Sequence, residues 1–162
     1  MVLTLLAPIA TTTKACENPV IEVLPFAVVH DYSKSYSELK AMGIANEVGL
    51  VRTTSTVIVN DCKATVGYKE STLYVASELK RDQCSFDHVL KHEEEHVRIY
   101  EQHLINMKAR IESRLPKQSL FEAAKTEVLS VQTEHTKHDS PEEYALNKTA
   151  CNGRITRLAL NR

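Results

Sequence analysis

The chain has 162 residues, with 20 Lys and Arg against 21 Asp and Glu, for a formal net charge of -1. That balance excludes the basic footprint of a nucleic-acid or anionic-membrane binder. Four Gly and no Trp argue against a glycine-rich phosphate loop or low complexity, and no apolar run is long enough to span a bilayer.

The opening stretch, MVLTLLAPIATTTKA, reads as a degraded or truncated secretory signal over residues 1–15. Its apolar run is followed by small residues, but Lys14 comes after that run instead of before it. A buried first strand is the alternative. Residues 16–162 are expected to form one domain. VIEVLPFAVVH, from Val20 to His30, is apolar and β-branched, broken by Pro25. Ser37–Met42 suggests a short helix stopped by Gly43. Thr53–Val59 is a β-branched strand, and Asn60–Asp61 signals a turn. Ala64–Tyr68 and Thr72–Leu79 read as two strands joined through Lys69–Ser71, paired antiparallel because the connection is too short for a crossover helix.

The second half is helical. Ser85 is the expected N-cap of a helix starting near Phe86. Val89, Leu90, Val97, Tyr100, Leu104, Met107, Ile111 and Leu115 recur at helical spacing, and Pro116 should end the helix. A second helix starts at Ser119 or Leu120, with the stripe Leu120, Ala124, Val128, Val131, then His135 and His138. A third begins at Ser140-Pro141-Glu142-Glu143, a capping box with proline at the first helical position, and should run to about Leu160. Strands followed by helices predict an α+β fold, with antiparallel N-terminal strands packed on a long central helix and two further C-terminal helices.

Cys16, Cys62, Cys84 and Cys151 show no zinc-knuckle spacing. An even count at wide intervals suits two disulfides in an oxidising compartment, periplasmic or secreted. Cys62–Cys84 with Cys16–Cys151 is the expected pairing; four buried thiols are the alternative.

His92-Glu93-Glu94-Glu95-His96 carries the chemistry. Imidazoles at i and i+4 lie one turn apart on one helix face and can reach a single ion. Glu93 lies about 100° around from His92 and can serve a water on that ion without ligating it. Zinc brings the pKa of its water towards roughly 7, the carboxylate takes the proton, and the hydroxide attacks a carbonyl. By analogy with zincin folds, where such a helix packs under a sheet whose edge strand lines the substrate cleft, Thr72–Leu79 is the expected substrate-lining strand. The bland alternative is a solvated turn of charged residues. Glu93-x-x-His96 also fits half of a di-iron pair. That needs a second such pair, and the residues three before His88, His103, His135 and His138 are Ser85, Tyr100, Gln132 and His135. A catalytic zinc takes a third protein ligand. His103 lies too far along the same helix, which leaves Glu127, Glu134, His135 and His138 as candidates.

A set of motifs resembles a bacterial family of predicted secreted zinc-dependent proteases. It comprises His30-Asp31-Tyr32, Glu38-Leu39, Asp61-Cys62, the His92–His96 motif and Thr136-Lys137-His138. The family's glycine after the last histidine is Asp139 here, and Gln132-Thr133 stands where Tyr-Asp is usual. The resemblance implies a zincin-like fold, His138 as the third zinc ligand beside His92 and His96, and Glu93 as general base. The expected function is therefore zinc-dependent hydrolysis of a peptide or protein substrate. The alternative is a non-catalytic envelope protein with a structural metal site or none.

Overall fold

The structure is a computed structural model that describes residues 16, 18–42 and 48–160. The suggested signal segment, residues 1–15, and Gly43 lie outside the described residues. The fold mixes a small sheet with several helices, in the order β1 (Val20–Val23), β2 (Val28–Asp31), α1 (Tyr36–Ala41), β3 (Gly49–Asn60) and β4 (Lys63–Val75). A 3-10 turn (Ser77–Arg81) leads into α2 (Gln83–Leu104), α3 (Met107–Arg114), α4 (Leu120–His138) and α5 (Pro141–Leu160).

The sheet is built around β4. Along one side β3 pairs antiparallel through the Asp61–Cys62 turn. Along the other, β1 and β2 follow each other end to end, and both run parallel to β4. The expectation of a wholly antiparallel set is corrected in this respect. Pro25 accounts for the arrangement. Lying between β1 and β2, it interrupts their pairing with β4, and Leu24 hands its N–H to the Val66 carbonyl at 2.8 Å just before the break. The chain passes so close there that a Cβ on Gly67 would meet the Leu24 Cβ at 3.1 Å, at a φ of +139° that favours glycine.

β4 also replaces the two strands expected at Ala64–Tyr68 and Thr72–Leu79. Lys69-Glu70-Ser71 lacks the residues of a tight hairpin, and the chain continues straight through it. Glu70 takes a left-handed φ of 54°, opposite a register shift between Arg52 and Thr54. This bulge changes the phase of burial. Ala64, Val66 and Tyr68 face the core before it, and Ser71, Leu73 and Val75 after it, so one face stays inward along the whole strand. Thr53 Oγ1 closes the bulge by donating to the Lys69 carbonyl at 3.1 Å and accepting from Ser71 Oγ at 2.5 Å.

The long helix expected from Phe86 to Leu115 is two helices. Asn106 sits in the left-handed region at φ 59°, where a non-glycine residue other than Asn or Asp is costly. The break is capped from outside, because the Arg110 guanidinium donates to the carbonyls of His103 and Ile105. The helix also starts earlier than expected. Asp82 is the N-cap, and Ser85 sits inside the first turn with its hydroxyl donating to the Asp82 carboxylate. Leu115 and Pro116 lie beyond α3. Ser119 caps α4, and Ser140 Oγ accepts from Glu143 N at 3.3 Å. The third helix is interrupted, since Ala150 to Gly153 leave helical geometry, three of them at positive φ.

Two apolar clusters hold the helices to the sheet. One joins Ile21, Ala64, Val66 and Tyr68 to Met107, Ile111, Ala124, Val128 and Val131. The other gathers Tyr36, Leu39, Leu73, Val75, Leu79 and Val89 with Ile155. The disulfides are Cys16–Cys62 and Cys84–Cys151, and not the expected Cys62–Cys84 with Cys16–Cys151. The straight course of β4 is the reason. It separates Cys62 from the start of α2 by about 40 Å of extended chain, and a disulfide needs Cα atoms about 5.5 Å apart. Among the described residues no helix is long and apolar enough to cross a membrane.

Candidate metal centre

α2 and α4 pack side by side on the sheet and bring three histidines together. His92 and His96 stand one turn apart on α2. His138 is the last residue of α4. The candidate donor atoms of His92, His96 and His138 all lie within 4.8 Å of one another. His92 and His138 stack at 4.4 Å between centroids, and His96 stands edge-on to both. His138 Nε2 lies 3.3 Å from the His92 carbonyl. With Nε2–H donating there, Nδ1 carries the lone pair available to an ion. Burial pushes the His138 pKa down, and the neighbouring His92 and His96 push the same way. The ring therefore stays neutral, the state a metal requires.

The other three candidate ligands take different places. Glu127 is buried beneath the site in a separate network. Its carboxylate meets Arg110 Nε at 2.5 Å and Arg114 Nη2 at 3.1 Å, with His103 Nε2 at 3.4 Å. Glu134 is exposed and pairs with Lys137 at 2.7 Å. His135 stands behind His96, with the two Nδ1 atoms 2.8 Å apart.

That contact determines what His96 can do. Two ring nitrogens at that distance require one donor and one acceptor. Burial first, then repulsion from His96, holds His135 down to about 4, so it is neutral near pH 7 and free to accept. With His96 Nδ1–H donating to it, the His96 lone pair is on Nε2, on the side of His92. A histidine ligand is commonly fixed in this way through its other nitrogen. Tyr100 supports His135 from below, with centroids 4.3 Å apart, and stacks edge-on against Tyr68 at 4.7 Å.

Glu93 is buried, 5% exposed. Its carboxylate faces the sheet at the first residue of β3. An alanine Cβ at Gly49 would lie 2.7 Å from Val89 Cγ1 and 2.8 Å from Glu93 Cγ, and closer still to Glu93 Oε1. The space that accommodates the Glu93 side chain exists because Gly49 has no side chain. Glu95 pairs with Arg98 at 2.9 Å on the outer face. Arg154 binds Asp82 at 2.9 Å.

Sequence reasoning missed one group, Asp139. Its Oδ1 lies 3.0 Å from His96 Nε2 and 3.3 Å from His92 Nε2. The oxygen is shielded from solvent, and neither ring meets it in hydrogen-bond geometry. The available signal was its position directly after His138 at a helix end.

His92, His96 and His138 form a group that could hold a metal ion, and Asp139 Oδ1 beside two of them is a shielded oxygen without a hydrogen-bond partner. Compared with known protein families, with curated proteins and with solved structures, the chain shows no match.

Proposed function

We propose that the protein is a secreted or periplasmic zinc-dependent peptidase of zincin-like type, in which His92, His96 and His138 hold the ion and Glu93 is the general base. The convergence of three histidine donors from two helices, two of them in an H-E-x-x-H motif, is the observation that carries this reading. When bound, such an ion lowers the pKa of a water molecule and polarises a carbonyl. The protein's own residues do the rest. His135, at His96 Nδ1, orients the His96 ring. Glu93, buried beside Gly49, accepts a proton at its carboxylate and passes it to the leaving amine. The two disulfides suit an oxidising compartment.

The expected substrate strand, Thr72–Leu79, is replaced in this reading. β4 is paired on both sides and ends at Val75, and Ser77–Arg81 is a 3-10 turn. Among the described residues β3 pairs only with β4. A peptide is therefore proposed to add in extended form along the outer edge of β3, starting beside Gly49.

The test is metal content together with hydrolysis of an unstructured protein such as labelled casein. One equivalent of zinc is expected, lost on His92→Ala. Glu93→Gln should retain zinc and lose hydrolysis. Hydrolysis that survives Glu93→Gln refutes the assigned mechanism. A second reading, a metal centre that only holds the fold together, is favoured by the place of the Asp139 carboxylate, since structural zinc sites close with four protein ligands.

A further inference from the structure

We infer that Asp139 is a fourth protein ligand of the same ion, so that the resting centre is closed by three imidazoles and one carboxylate. The inference rests on the three-histidine reading above and extends it. Three observations support it. Asp139 Oδ1 faces both α2 rings through their Nε2 atoms, at 3.0 and 3.3 Å. Neighbouring ligands on a tetrahedral zinc, each about 2.0–2.1 Å from the ion, stand about 3.3 Å apart. The separations are thus those of ligands sharing a centre. The oxygen is also shielded and has no hydrogen-bond partner, although a buried carboxylate oxygen is costly to leave so. An ion between Asp139 and the histidines satisfies it.

The backbone places this ligand where it can leave. Asp139 is the C-cap of α4, and its N–H donates to the His135 carbonyl at 2.8 Å. The main chain is thereby anchored, while rotation about the side-chain bonds moves the carboxylate without altering a helical hydrogen bond. The side chain is about one-third exposed, 35%, so that rotation leads towards solvent. A closed resting site with one removable oxygen reconciles a four-ligand centre with a catalytic one. The carboxylate holds the position that a substrate carbonyl takes up.

The test uses metal binding, not turnover. Zinc affinity is measured by competition with a chromogenic chelator for the full chain and for Asp139→Ala, Asp139→Asn and His92→Ala. The cobalt(II)-substituted proteins are titrated with azide, which needs a vacant or yielding coordination position. Asp139→Ala is expected to bind zinc roughly ten- to a hundredfold more weakly, and to show its azide spectral shift at a concentration at least about tenfold lower than the unaltered chain. Asp139→Asn, which keeps the size of the side chain, should change both in the same direction. Unchanged zinc affinity in both Asp139 variants, with azide titrating all forms alike, overturns Asp139 as a ligand and leaves the three-histidine site intact. An unaltered chain that binds no zinc, or a His92→Ala variant that binds it fully, overturns the three-histidine reading and this inference with it. Zinc held as expected without any hydrolysis refutes only the peptidase.

Discussion

Gly49→Ala is the sharpest perturbation the fold offers, because it acts on Glu93 without touching a metal donor. The new Cβ would stand 2.7 Å from Val89 Cγ1 and 2.8 Å from Glu93 Cγ, with Glu93 Oε1 nearer still. Ordinary contact requires about 3.5–4.0 Å, so α2 or the Glu93 side chain must yield by roughly 1 Å. Val89 belongs to the apolar cluster with Leu73 and Val75 and has little room to move. The Glu93 side chain therefore gives way. Displacing a catalytic group by about 1 Å costs on the order of a hundredfold in rate, and the overpacking costs about 1–3 kcal/mol of stability. The assay is casein hydrolysis alongside thermal denaturation and zinc content. Zinc should remain near one equivalent while kcat falls. Full activity at full stability would refute the claim that Glu93 depends on this slot.

Glu127→Gln removes the anion that Arg110 and Arg114 share on α4. Because both guanidinium groups are more than one-third exposed and can rehydrate, the expected loss is about 2 kcal/mol, below that for a fully buried pair; an unchanged urea midpoint would contradict it. Replacing Cys84 and Cys151 together by serine opens a loop with a sequence separation of 67. It should cost about 2–4 kcal/mol in chemical denaturation, and no shift would show that the bridge restrains little. In metal-free protein, burial pushes His103 below its ordinary value, and His135 and His138 are depressed as well. The folded state therefore binds fewer protons than the unfolded chain. Stability should be highest above about pH 6.5 and decline as pH falls through and below that value. His103→Gln should flatten part of that slope, and a urea midpoint that rises on acidification would refute the sign.

The central motif was legible because its meaning depends only on local spacing: i and i+4 share a face wherever a helix forms. The stripe ending in His135 and His138 was legible for the same reason, and both turn inward. The structure divides their roles by one further turn of α4, which sets His138 beside His92 and His135 behind His96. What escaped the sequence depended on distant contacts. Whether residues 69–71 turn or bulge is decided by pairing with β3. The disulfide pairing followed from that choice, since a folded-back pair would have brought Cys62 near Cys84. The break at Asn106 required Arg110 to cap an interrupted helix. The Asp139 side chain points to His92 and His96 because of how α4 ends, and its place directly after His138 was the one trace of that in the sequence.

The irregularity at Glu70 fixes how insertions and deletions act on this protein. Loss of Glu70 would leave a regular alternation with Leu73 and Val75 still inward, whereas a further residue gained in that stretch would turn everything downstream to the opposite face. After such an insertion Leu73 and Val75 would face solvent, while Thr72 and Tyr74 would be driven against the helices. The half of the strand that underlies Met107 and Val128 would keep its footing. The half beneath Val89, one turn ahead of Glu93, would not, so a change some twenty residues upstream would loosen α2 first.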